Sequence, residues 1–253
     1  MIQPAHLQNL ISQIATASSN REINATLPIL LRVLSKQSDN KYLVQLGKLV
    51  VETSSNKELT PGINYWANVR QGKDGIVISD LIKQPMILDQ LESSHVKLHT
   101  RDLRELFNEA KASGKQVESL FKEFLLDRLP VANTRQEFLE LSNLLIALQN
   151  GVFSMVIQDD NGRDRLVQVK KQVDFLEFYS VFWHLGEISG LVMLSDLRLS
   201  ARLCVMSDKV KSVLEKHLQD LKGFDEILID IGSNAPLWDL GNFNTPYMLD
   251  LRG

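Results

Sequence analysis

The stretch from 152 to 205 reads VFSMVIQDDNGRDRLVQVKKQVDFLEFYSVFWHLGEISGLVMLSDLRLSARLCV, and its period decides the fold class. The apolar runs Val152 to Ile157 and Leu166 to Val169 flank Asp159-Asp160-Asn161-Gly162. Asn-Gly between such runs is a strong hairpin signal, because both residues tolerate positive φ. Phe175 to Trp183 is apolar and aromatic, the composition of a buried strand. Leu191 to Leu194 and Leu197 to Val205 predict two more strands, turning near Ser195-Asp196. In the second, Leu197, Leu199, Ala201, Leu203 and Val205 alternate with Arg198, Ser200, Arg202 and Cys204. Ser207 is a suitable N-cap for a helix with Val210, Val213, Leu214, Leu218 and Leu221 on its buried stripe, ended by Gly223. Ile227 to Ile231 predicts a last short strand.

Upstream, residues 100–150 have helical spacing. Leu103, Leu106 and Phe107 form one stripe, and Val117, Leu120, Phe121, Phe124 and Leu125 another. Thr134-Arg135-Gln136-Glu137 fits a capping box, after which Phe138, Leu141, Leu145 and Leu148 line one face as far as Asn150-Gly151. Further back, Tyr42, Val44 and Leu49 to Val51, the Leu59-Thr60-Pro61-Gly62 turn, alternating Ile63, Tyr65, Ala67 and Val69, and a turn at Gly72 to Gly75 before Ile76 to Ser79 predict a small barrel or meander over 41–82. Leu7, Leu10, Ile11 and Ile14 predict an N-terminal helix. Pro28 predicts the start of a second, near Leu27, with Ser35 to Asn40 as a linker. The expected class is therefore α+β: a small β-barrel or meander domain and a C-terminal mixed α/β, sandwich-like domain, joined by helices. The expected divisions are a helical segment 1–40, a small β domain 41–90, a helical connector 100–150, a C-terminal α+β domain 151–235 and a tail 236–253.

The 253 residues carry 28 Lys and Arg against 31 Asp and Glu, a net charge of −3 that argues against a generic nucleic-acid binder. The single cysteine, Cys204, excludes an internal disulfide framework. No apolar run reaches the ~20 residues of a membrane span, so no stable membrane insertion is expected. The start Met1-Ile2-Gln3-Pro4 lacks the basic and apolar regions of a secretory signal, so a soluble cytoplasmic chain is expected.

Few constellations suggest chemistry. Cys204 with His184 or His217 as base would make a nucleophile, but an alternating strand suits a quiet structural thiol better. Asp159, Asp160, Asn161 and Asp164 evoke calcium, yet aligning Gly162 as the loop glycine puts Ile157 and Gln168 where carboxylates belong. His95 and His99 would share a helix face but lack a third ligand for zinc. Neither standard phosphate-binding glycine loop is present. Tyr42, Tyr65 and Trp66 with Lys41, Lys48, Arg70 and Lys73 could hold a single strand by stacking and charge, or the aromatics could fill a small core. No catalytic residue, cofactor or metal is expected, and no nucleic-acid partner.

At His184-Leu185-Gly186-Glu187-Ile188 an apolar strand leads into Leu-Gly, then the paired strands, then Ser207-Asp208-Lys209-Val210 opening the helix. Over roughly 151–232 this resembles the C-terminal domain of bacterial flagellar hook-length control proteins. The Thr60-Pro61-Gly62 segment is similar to an upstream domain of compact members. The matching positions are Leu185, Gly186, Val213, Leu214, Leu218 and Leu221, all of them fold residues. Gly186 would turn the chain where a side chain clashes, Leu185 would plug the core beneath, and the helix 208–221 would cover a sheet face. The resemblance implies a non-enzymatic protein that binds the cytoplasmic domain of the flagellar export gate and switches type III export from hook to filament substrates. Hook or hook-cap proteins are further implied partners, and the protein would itself pass through the export apparatus. The proline that usually precedes Leu-Gly is missing from Tyr179 to His184, and with 7 prolines there is no long ruler-like tract. The resemblance therefore implies the switch duty more strongly than the measuring of the hook. The alternative function is a small-barrel binding module for single-stranded nucleic acid or another protein.

Overall fold

The computed structural model describes residues 28–55, 57–72, 75–84 and 87–240. The helix expected at Leu7 to Ile14, Lys73 and the end of the tail lie outside the described residues, as does the side chain of Arg70. The fold is α+β. The chain divides into two compact units, Met1–Pro85 with His184–Gly186 and Ser207–Leu221, and Met86–Trp183 with Glu187–Met206 and Lys222–Gly253.

The first unit is built on an antiparallel sheet of five strands, β1 (Ile29–Ser38), β2 (Lys41–Leu46), β3 (Leu49–Ser54), β4 (Asn64–Gly72) and β5 (Gly75–Lys83), in the order β3-β2-β1-β4-β5. It is an open sheet, not a closed barrel. Its central strand overturns the helix predicted from Leu27 and the linker at Ser35 to Asn40. Pro28 precedes a strand instead, and Leu31 and Val33 alternate into the core. The polar composition of Ser35 to Asn40 hides the strand's outer end, where the register with β2 slips between Val33 and Ser35. Central pairing on both sides outweighs the weak local preference of such a segment.

The turn at Thr60-Pro61-Gly62 forms as predicted, with Gly62 at φ +83°. Tyr42 and Tyr65 lie in the core beside it, and their hydroxyls accept from Leu59 N–H (3.3 Å) and Thr60 N–H (3.1 Å). Buried tyrosines thereby satisfy loop amides that would otherwise be orphaned. This unit also holds α5 (Asp208–Lys216), capped by Ser207 Oγ accepting from Val210 N–H. The helix stops seven residues before Gly223, and a 3₁₀ turn at Leu218–Asp220 follows, so Leu221 leaves the predicted stripe and is 42% exposed.

The second unit contains a seven-stranded mixed sheet of β6 (Lys97–His99), β7 (Val152–Gln158), β8 (Asp164–Lys171), β9 (Phe175–Phe182), β10 (Gly186–Ser195), β11 (Arg198–Val205) and β12 (Glu226–Ile231). Their order is β12-β11-β10-β9-β8-β7-β6. The β7–β8 hairpin closes at Asp159 to Arg163, where Asp159 Oδ1 accepts from Asn161 N–H and Arg163 N–H. The β10–β11 hairpin turns on Asp196 and Leu197, both at positive φ.

Helices α1 (Ile87–Ser93), α2 (Thr100–Ser113), α3 (Val117–Arg128) and α4 (Arg135–Gln149) belong to the same unit. Because β6 runs parallel to β7, residues 100–150 form the crossover between them, and Phe121 of α3 meets Phe153 of β7 edge-on at 4.5 Å. The buried face of α4 differs from the predicted one. Phe138 is 47% exposed, whereas Glu137, Glu140, Leu141, Leu144 and Ala147 are buried. Glu140 accepts from His95 N–H (2.7 Å), Val96 N–H (3.2 Å) and Ser94 Oγ (3.1 Å), fixing the loop that leads into β6. Glu137 accepts from Asn133 N–H and Arg128 while its own N–H binds Thr134 Oγ1. Carboxylates so bonded can be buried, which a purely apolar stripe does not anticipate. His95 lies in that loop and His99 ends β6, so the two histidines do not share a helix face. No helix of the described residues is long and apolar enough to cross a membrane.

Candidate docking surface

The six positions singled out by the Leu-Gly motif and its helix gather in the first unit, although the strands on either side of them belong to the second. Gly186 has φ +78°, and a Cβ there would stand 3.5 Å from the ring of Trp66. The requirement for glycine is therefore one of backbone conformation rather than of space. Val213 is buried, Leu185, Leu214 and Leu218 are half-buried, and Leu221 is exposed. Leu185 is thus a rim residue rather than a core plug. The rings of Tyr42, Tyr65 and Trp66 are buried and offer no stacking face.

In the second unit, one face of the sheet carries a buried polar row that the apolar pattern did not reveal. Ser154 on β7, Gln168 on β8 and Tyr179 on β9 are paired in register, and all are essentially inaccessible. Gln168 is 0% exposed. Its Oε1 accepts from Leu237 N–H (2.8 Å) and Trp238 N–H (3.1 Å), and its Nε2 donates to Trp238 O (2.7 Å) and Ser154 Oγ (3.3 Å). A side-chain amide thus stands in for a strand neighbour and pins the segment after β12. Trp238 Nε1–H donates to Asn143 Oδ1 at 3.0 Å. Asn234 adds a second anchor, donating to Glu187 O (2.8 Å) and accepting from Ser189 Oγ (2.6 Å). Residues 234–238, which straddle the expected boundary between the C-terminal domain 151–235 and the tail 236–253, are therefore a strap across the sheet. The signal that could have found Gln168 is a polar residue at the inward phase of β8, two places after Leu166.

Tyr179 Oη donates to Glu187 Oε1 at 2.5 Å. Burial pushes the Glu187 carboxyl above its ordinary range, the tyrosine hydrogen bond opposing this in part, and burial beside that carboxyl pushes the Tyr179 hydroxyl up as well.

Beside the strap lies an open groove of about 410 Å³ lined by Phe178, Gly190, Leu191, Arg202, Cys204 and Asp230, among others. Gly190 is demanded by space: a Cβ there would lie 2.3 Å from Arg202 O and 2.9 Å from the Phe178 ring. Arg202 Nε–H donates to Asp230 Oδ2 at 2.6 Å across the parallel β11–β12 pair. Burial and then Asp230 push the Cys204 thiol up, against Arg202, so this thiol is not activated as a nucleophile. Asp159 is committed to its hairpin, and Asp164 to Lys97 (2.7 Å) and Gln158 (3.0 Å). Among the described residues no three His, Cys, Asp or Glu side chains group as metal ligands.

Comparison with protein-family models, curated proteins and solved structures gives no match.

Proposed function

We propose that this chain is a non-enzymatic, hook-length-control-like switch protein of flagellar type III export, acting by binding the cytoplasmic domain of the export gate. The observation that carries this reading is the order β9, a tight turn, β10 and β11 as a hairpin, α5, then β12, placed on the residues that resemble the hook-length control family. Gly186 at φ +78° occupies the Leu-Gly turn, Ser207 caps the helix, and Val210 and Val213 are its buried side.

The test is deletion of the gene in its host followed by electron microscopy of isolated hooks. The expected outcome is overlong hooks without filaments, restored by the wild-type gene. Hooks of ordinary length bearing filaments would overturn the reading.

A further inference from the structure

β12 has β11 on one side and no strand on the other among the described residues. Its register with β11 is unbroken from Glu226 to Ile231. Gly232 N–H donates to Val205 O at 3.0 Å, so strand alternation turns the amides and carbonyls of Ile227, Ile229 and Ile231 away from β11. The sequence EILIDI contains no proline, lysine or bulge, three of the usual means of blunting an edge, and its charges are the carboxylates of Glu226 and Asp230. Leu228 is 52% exposed and Ile231 49% exposed. Six residues with no strand on their outer side among the described residues are a template for another strand.

The charges on this edge select its occupant. Glu226, Leu228 and Asp230 share one face, where Glu226 is exposed and Asp230 is paired with Arg202. A second copy of β12 extending the sheet about a two-fold axis perpendicular to it would meet this strand antiparallel with like faces together. Centred on Leu228, that pairing sets Glu226 directly opposite Asp230 twice. Centred on Ile229, it sets Leu228 opposite Asp230. Like charges directly opposite are destabilising, and a carboxylate opposite leucine gains nothing. An alternating basic and apolar segment meets neither obstacle. Its Lys or Arg would face Glu226 and lay their aliphatic stems on Leu228, and its apolar residues would cover Ile227 and Ile231.

We propose that the free edge of β12 takes, by strand addition, an extended segment of another protein with alternating basic and apolar residues. This stands independently of the flagellar reading. The test uses the full chain and two fluorescent octapeptides, one of alternating Lys and Val and one of alternating Glu and Val, followed by anisotropy. The Lys/Val peptide is expected to bind saturably and the Glu/Val peptide at least about fivefold more weakly. Glu226→Lys is expected to weaken the first by about fivefold and strengthen the second, a change of the size of one or two cross-strand charge pairs. Ile231→Pro removes an outward amide while leaving the β11 ladder intact, and is expected to weaken binding by about tenfold, with Ile231→Thr, which keeps the amide, close to wild type. If Ile231→Pro does not fold, the surface substitution Glu226→Lys decides alone. Equal affinity for both peptides, no saturation of either by about 1 mM, or undiminished binding by folded Ile231→Pro would overturn the proposal. So would a sedimenting dimer that Ile231→Pro dissolves, which would give the edge to a second copy.

Discussion

Replacing Gln168 by leucine tests whether one side chain holds the 234–238 strap. The two side chains are similar in size, so the change leaves little cavity and acts on hydrogen bonds. Three strong bonds to the strap are lost, at 2.7, 2.8 and 3.1 Å. At ~1 kcal/mol net each, the loss is about 3 kcal/mol. If the strap stayed in place, two N–H groups and a carbonyl would be buried without partners at ~1–3 kcal/mol apiece, so release to water is the cheaper outcome. Native-state amide exchange reads this directly. Protection at Leu237 and Trp238 is expected to fall by about two orders of magnitude, the equivalent of about 3 kcal/mol. Protection within β7 and β8 is expected to change far less, because their ladder is untouched. Unchanged exchange at Leu237 and Trp238 would refute the reasoning. A loss spread evenly over β7, β8 and β9 would also refute it, since Gln168 would then be supporting the sheet rather than the strap.

Two glycine substitutions should differ in size, read as shifts in denaturant midpoint. Gly186→Ala suffers mainly from its positive φ, ~1–2 kcal/mol. Gly190→Ala must move Arg202 O or the Phe178 ring and should cost about 3 kcal/mol; the reverse order would show that Trp66 confines Gly186 more tightly than 3.5 Å suggests. Glu187 makes stability depend on pH. Its folded pKa is raised, so between the ordinary carboxylate value and the raised one the native state keeps a proton that the unfolded chain has lost. Stability should therefore fall as pH rises through that window and level off above it. Glu187→Gln should remove this component of the slope in urea melts between about pH 4 and 8, and an unchanged slope would show that Glu187 titrates as an ordinary carboxyl.

Local chemistry made much of the fold legible. Asn161-Gly162, Thr60-Pro61-Gly62 and Asn150-Gly151 stop or turn the chain through backbone preferences that need no distant partner. The caps Ser207 and Thr134 work across three residues, and the alternation from Leu197 to Val205 marks a strand wherever it packs. These features, together with ordinary composition, establish an α+β chain, whereas Leu185 and Gly186 stand out only through the family resemblance. Only tertiary structure decided the rest, because the deciding partners lie far along the chain. β1 is a strand because β2 and β4 flank it, not because residues 29–38 favour one strongly by themselves. Glu137 and Glu140 are buried because loop amides and Arg128 meet their carboxylates. The strap exists because Gln168 stands 69 and 70 residues from the amides it holds. The open edge of β12 likewise depends on which strand lies beside it, and hydrogen-bonding capacity left over from a sheet is a property of the assembled sheet and of no single segment.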